Sequence, residues 1–498
     1  MDEKSKRRLF YACFVALMAT SFGFMLRAML ISEWGVEFNL TKTQMGEIIG
    51  VGLWPFAISI VLFSLIIDRI GYGRSVAIAF ILHITSLVIT LMANGYWMLY
   101  FGTFIFALAN GIIEATINPT VITMFSKEKT RWINRLHAGW PGGMVVGGII
   151  ALSMGESVKW QYKIAIIIVP MLVYGFMMLG KKFPVQERVV AGVSYKDMLK
   201  ELGILGALII NFLIVFEVGN FFHFSLVIEI VLIVILTGAF GAYVKAWGQP
   251  VFVLLLLVML PLATTELGTD SWIVDLMSNE MKSLNLQAGW ILVYTALIMT
   301  VARFFAGPFL KVLKPSGLLM FGSAITAVGL MFLSVSTGLV VFIAATIYGF
   351  AKSFLWPTMI GIVGERFPKG GALTLNVTTA VGMIGVGIVG AVFLGFVQDK
   401  QIDKNVAQYD KKNHTALYQE YVTVEKNSIF GTYNALDASK LENATADVKE
   451  SIQSAQLFAK KDALKSVAIL PVFMLVFFIL LFLYFKTHGG YNPINIKT

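Results

Sequence analysis

Fourteen apolar runs divide this chain, and a run of about 20 residues is what a helix needs to cross the ~30 Å hydrocarbon core of a bilayer. They fall at roughly 9–32, 44–67, 75–94, 96–125, 132–155 and 161–180, then 202–219 and 223–244, then 249–277, 288–310, 316–336, 338–364, 372–397 and 465–485. Lipid offers a backbone no hydrogen-bond partners, so such runs fold as helices. The expected fold class is all-α, a polytopic membrane protein with about 14 transmembrane helices. Composition agrees. The chain is 57% hydrophobic and 14% charged, against roughly 45–50% and about 25% in soluble domains.

The net charge of +10 would suit an anionic partner, but Lys and Arg collect at the ends of the runs, where they set topology. Membrane lipid is therefore an expected partner and nucleic acid is not. Lys4, Lys6, Arg7 and Arg8, Arg69 and Arg74, Lys127, Lys129 and Arg131, Lys181, Lys182 and Arg188, Lys245, Lys311 and Lys314, Arg366 and Lys369, and Lys486 share one face if every run crosses. By the positive-inside rule that face is cytoplasmic, with both termini on it and the polar stretch 398–463 outside. The first run has the basic start of a signal peptide, but it is too long and lacks a small-residue cleavage site, so it reads as an uncleaved first span. The expected location is the cell (inner) membrane. The single cysteine, Cys13, excludes a disulfide framework and a Cys-based metal site.

An internal repeat organises the runs. Asn118-Pro119-Thr120 recurs as Trp356-Pro357-Thr358, and Gly143-Met144 as Gly382-Met383, each roughly 240 positions on. Gln44-Met45-Gly46 answers Gln287-Ala288-Gly289 at a similar offset. This spacing sets Glu114 against Lys352 and His137 against Asn376. It predicts two parallel six-helix halves related by an axis along the membrane normal. The expected division is an N-terminal half at 1–180, a linker with two extra spans at 181–248, and a C-terminal half at 249–498 holding the outer loop 398–463.

Ionisable groups at bilayer depth are costly and normally face a protein interior or a water-filled path. Glu114 and Asn118 stand at i and i+4 on one helix face, so both can line one cavity. A carboxyl withdrawn from water is a candidate proton carrier, and the amide can donate to and accept from a hydroxylated solute. The structural alternative is a buried ion pair between Glu114 and Lys352. His137 suits a proton relay through its ordinary titration near pH 6.5, and packs as a core residue otherwise. Trp140 and Trp356 can stack on an apolar sugar face or on other aromatic rings. Arg27 lies mid-run and fits an anion bidentately; alternatively it pairs with Asp270, which follows Glu266 by four residues. Dense glycines in the fifth run and its repeat, Gly142, Gly143, Gly147 and Gly382, Gly385, Gly387, read as close helix packing. Glu217, His223 and Glu229 in the extra pair are given no role in transport. No phosphate-binding loop, HExxH or nucleophile triad is present, so no ATP use, enzymatic activity, cofactor or metal is expected.

The junction Asp68-Arg69-Ile70-Gly71-Tyr72-Gly73-Arg74 resembles the loop between the second and third helices of the major facilitator superfamily, with Ser64 where that pattern usually has its first glycine. The resemblance implies that Asp68, Arg69 and Arg74 gate the cytoplasmic side, and that Arg303, similar to a common superfamily arginine, does so too. Glu114-x-x-x-Asn118-Pro119, with Asn134 and His137 following, is similar to the fucose:proton symporter group, which implies sugar and proton handling by Glu114. That group's acidic residue in the first helix is absent; Arg27 is the intramembrane charge there. The function expected is secondary active transport of a small polar solute, a sugar or sugar derivative, by a monomer coupled to protons (or sodium). Expected substrate contacts are Asn118, His137, Trp140, Lys352, Trp356, Asn376 and Arg27, with Glu114, Glu266 and Asp270 handling protons. The alternative is an organic anion (carboxylate or sugar phosphate) transporter or exchanger using Arg27.

Overall fold

The computed structural model describes residues 1–496 apart from 41, 156, 429–430, 438–439 and 442. Among them, thirteen helices are long and apolar enough to cross a membrane, and a shorter apolar helix, Gly289–Phe304, occupies the remaining expected span. They are α1 (Glu3–Glu37), α2 (Gln44–Ile70), α3 (Tyr72–Leu91), α4 (Tyr96–Met124), α5 (Lys129–Ser153), α6 (Trp160–Met178), α7 (Tyr195–Phe222), α8 (Leu226–Val244), α9 (Pro250–Ser271), α10 (Gly289–Phe304), α11 (Pro315–Val335), α12 (Val340–Arg366), α13 (Pro368–Ile388) and α14 (Ala446–Thr487). Pro308 sits just past the end of α10, in a separate short helix Gly307–Val312, which accounts for that span's shortness.

Within the first six helices α1 packs on α5 and α6, and α4 on α2 and α3; in the last six α11 packs on α12 and α14, and α9 on α13. The two groups meet along α5 against α10 and α12, and along α13 against α2 and α4. Glycine sets the closest approaches. A Cβ on Gly111 of α4 would stand 1.9 Å from Ser59 Oγ and 2.2 Å from the Phe56 carbonyl of α2. One on Gly143 of α5 would stand 2.3 Å from the Met18 carbonyl of α1. The extra pair α7–α8 leans on α13 and α9 through α7, while Phe221 at its end stacks on Tyr100 of α4 (centroids 5.7 Å).

The all-α expectation holds, with one small strand element outside the bundle. The 398–463 stretch contains an antiparallel hairpin, β1 (Val424–Ser428) with β2 (Gly431–Ala435). It sits in a small packed unit in which Val406, Leu417, Tyr421 and Ile452 are buried beyond the end of the bundle. Helix α14 also begins well before the apolar run at 465–485. Its first turns are amphipathic, burying Ile452, Ala455 and Ala459, and an apolar window is blind to such turns.

Candidate functional site

Glu114, Asn118, His137, Glu266, Asp270, Arg303 and Lys352 lie together at the junction of α4, α5, α9, α10 and α12. In α9 the interior Pro261 is followed by one wide i→i+5 turn, Thr264–Gly268, a feature frequent at functional sites. It carries Glu266, and Asp270 follows. Glu266 is ion-paired with Arg303 of α10, and Asp270 with Lys352 of α12. Both pairs are buried. The Arg303 fork has further work: Nε donates to the Ser353 carbonyl at 2.7 Å and Nη1 to the His137 carbonyl at 3.1 Å. Arg303 therefore ties α9, α10 and α12 to α5. Lys352 Nζ lies 4.5 Å from the centroid of the Tyr348 ring, whose hydroxyl donates to the Thr265 carbonyl at 2.8 Å.

Facing this is the wall formed by α4 and α5. Asn118 Nδ2 donates to Glu114 Oε1 at 3.4 Å. His137 Nε2 lies 3.0 Å from Asn118 Oδ1 and 3.9 Å from Glu114 Oε1. Glu114 has no lysine or arginine within ion-pair distance among the described residues. The cluster thus holds three carboxyl groups, Glu114, Glu266 and Asp270, against two permanent cations, and Glu114 is the one left over. Asn376 of α13 donates to the Ala115 carbonyl at 3.2 Å, joining α13 to α4. Two buried acceptors here lack a partner among the described residues, Glu266 Oε2 and Asn376 Oδ1.

Glu114, His137, Trp140, Glu266, Arg303 and Trp356 share the lining of one cavity of about 20 Å³. That is room for about one water, where a small-molecule site usually needs ~300 Å³ or more. The helices are closed around it. Trp140 stacks on Phe56 (6.3 Å, 7°), and the Trp356 ring lies where a Cβ on Gly382 would stand, at 2.6 Å. Both rings have aromatic or backbone neighbours and also face the cavity.

Several sequence pairings are corrected. Lys352 does not neutralise Glu114; it bonds Asp270. Arg27 does not reach Asp270. It turns into the first six helices, donating to Gly23 O (3.4 Å), Ser86 Oγ (3.0 Å) and Thr90 Oγ1 (3.4 Å), with its guanidinium 4.0 Å over the Phe106 ring. Arg303, expected as a gate, lies in the central cluster. Of the expected gate, Asp68 is ion-paired with Arg188 and Arg69 sits 5.4 Å over the Tyr195 ring, while Arg74 is exposed.

The contacts that close the basic face were not anticipated. Thr130 donates its backbone N–H (3.0 Å) and hydroxyl (2.6 Å) to Glu365 Oε1, and Tyr491 donates to Glu365 Oε2 at 2.6 Å. Lys129 bonds Glu187 (2.6 Å) and the Gly364 carbonyl (3.2 Å). Tyr348 and Ser353 were also missed. Tyr348 stands four residues before Lys352, one helical turn away, which was a usable signal; Ser353 acts through its carbonyl, which no sequence pattern marks.

Comparison with known proteins gives a consistent picture. A family model described as Major Facilitator Superfamily matches residues 12–370. No curated protein matches the chain. Among solved structures, the xylose:proton symporter of E. coli superposes with a TM-score of 0.63 at 12% identity, covering 96% of each chain. The human organic anion transporter MFSD10 gives 0.61 at 10%, covering 96% of this chain and 100% of that one. The E. coli fucose:proton symporter gives 0.58 at 13%, covering 94% and 99%. At these identities the likeness is one of fold.

Proposed function

Since the chain belongs to the major facilitator superfamily, a family of membrane transporters, we propose that it moves a small neutral polar solute, a sugar or sugar derivative, coupled to protons by alternating access. The basic face is the cytoplasmic one in this reading. The observation that carries it is the central cluster with one carboxyl more than its cations. A buried carboxylate without a cation is costly, and a proton held on Glu114 or shared with His137 removes that cost. Loading and unloading that proton is then a change of charge at the place where the two groups of helices meet.

The solute contacts in this reading are Asn118 and Asn376, the second with a free acceptor, and Glu266 Oε2, each fitted to sugar hydroxyls. Trp140 and Trp356 offer flat apolar faces. Binding must open the 20 Å³ cavity, so it must compete with the Arg303 tie between Glu266 and the His137 carbonyl. The contacts of Thr130, Lys129, Glu187 and Glu365 form the cytoplasmic gate, and Asp68 with Arg188 extends it.

The anion alternative has little support in the geometry. Arg303 and Lys352 are both engaged by carboxylates, and Arg27 is committed to Ser86, Thr90 and Phe106. The reading is tested by competition in proteoliposomes loaded with purified protein. Neutral sugars should raise the unfolding temperature of the protein and exchange across the membrane, and carboxylates and sugar phosphates should not compete. Transport of the anions with no response to any neutral sugar would overturn it.

A further inference from the structure

Apart from the central cluster, the structure has a second polar cavity, of about 630 Å³, on the basic face where α1, the 125–128 loop and the start of α5 meet the end of α10. Five cations line it, Lys6, Arg7, Lys127, Arg131 and Arg135, against two acids, Glu3 and Glu128. Both acids already have partners: Glu3 bonds Lys6 at 3.0 Å and Glu128 bonds Arg131 at 2.7 Å. That leaves Arg7, Lys127 and Arg135 with no carboxylate at ion-pair distance among the described residues. Arg131 and Arg135 each keep a buried Nε with no acceptor among the described residues, an uncompensated cost unless an acceptor arrives.

The wall behind these cations is aromatic. Phe125 and Trp132 stack at 3.7 Å and 9°, and Phe10 meets Trp132 edge-on at 4.9 Å. The Arg135 guanidinium lies between Trp132 (4.9 Å) and Phe304 of α10 (5.9 Å). Such stacking fixes the guanidinium plane and leaves its edge for bidentate donation, a geometry matched to phosphate oxygens. Cations that serve only topology need no aromatic floor.

We propose that this cavity binds a phosphate ester carried on an apolar or flat group, with Arg131 and Arg135 donating to the phosphate, Arg7 and Lys127 adding charge, and Trp132 and Phe304 contacting the carrier. Two sources supply that chemistry, the headgroup of an anionic phospholipid at the membrane surface and a free organic phosphate from the cytoplasm. The site is separate from the solute cluster, and because Phe304 follows Arg303 on α10, its occupant touches helices of both groups.

The test is thermal unfolding of the full chain in neutral detergent, titrated with short-chain phosphatidylglycerol, short-chain phosphatidylcholine and glycerol phosphate. Phosphatidylglycerol should raise the unfolding temperature saturably and phosphatidylcholine should not. An equal rise with glycerol phosphate assigns the site to a free phosphate, and no rise with it assigns the site to lipid. Arg131→Gln with Arg135→Gln should weaken the response roughly 30-fold. Arg131→Lys with Arg135→Lys, which keeps charge and fold but removes the fork, should give an intermediate loss. The proposal fails if no phosphate compound shifts the wild-type protein, or if the Gln and Lys variants respond at the wild-type concentrations.

Discussion

The Asp270–Lys352 pair allows the sharpest energetic test of the central cluster. Both side chains are buried, they bond each other, and Lys352 also lies over the Tyr348 ring. Removing one member leaves the other as an isolated buried charge, which costs ~3–5 kcal/mol, whereas removing both is close to neutral. Lys352→Met and Asp270→Asn should therefore each destabilise by ~3–5 kcal/mol, and the double variant should lose far less than their sum. Single losses of that size with a near-neutral double variant amount to a coupling of ~6–10 kcal/mol, well above the ~0.5–3 kcal/mol of ordinary contacting pairs. Equilibrium unfolding in mixed micelles, with retained helical content as the readout, measures all four corners of the cycle. Single losses that simply add in the double variant would refute the pairing and with it the charge count that leaves Glu114 unpaired.

Other consequences are checked independently. Glu365→Gln weakens two hydrogen bonds from Thr130 and one from Tyr491; in a Cys13→Ser background, a cysteine placed at Thr358 should then react with a water-soluble maleimide at least about tenfold faster, at ~1.5 kcal/mol or more for a bond to a charged group, and an unchanged rate would exclude these contacts as a gate. Arg27→Met should lower stability by ~1–3 kcal/mol through the lost Ser86 and Phe106 contacts while leaving the KM for solute unchanged; a raised KM with unaltered stability would return Arg27 to the solute path. Gly111→Ala puts a methyl against the Phe56 carbonyl and should cost ~1–3 kcal/mol as overpacking, measured in the same micelle assay, with an unchanged midpoint counting against the close α2–α4 approach.

The spans were legible because lipid imposes one solution on an apolar run, and all fourteen runs have helices. What composition cannot show is structure stabilised outside lipid: the strands Val424–Ser428 and Gly431–Ala435 pair with each other, the second lies against the helix Val392–Asn413, and the first turns of α14 bury Ile452 beside Val406 and Tyr421, with no apolar run to mark them. The site was legible in part for the same reason. Glu114, Asn118 and His137 stood out as polar groups at bilayer depth, and they lie together. Their partners were not legible. The repeat places Glu114 and Lys352 at matching depth, but depth does not fix the helix face, and Lys352 turns toward α9 of its own group of helices. Arg27 likewise finds hydroxyls on α3 sooner than a carboxylate on α9. The Arg188 and Glu187 contacts come from a connector whose path over the basic face is set only once the helices are assembled.

In the proposed mechanism Glu114 is the group that takes up and releases the coupled proton. Its most direct measurement is the pair of assays on Glu114→Gln in proteoliposomes, solute accumulation driven by an imposed proton gradient and counterflow exchange without one. The expected result is abolished accumulation with exchange retained, because the amide still serves the solute path but cannot change its charge. Full proton-driven accumulation by Glu114→Gln would contradict it.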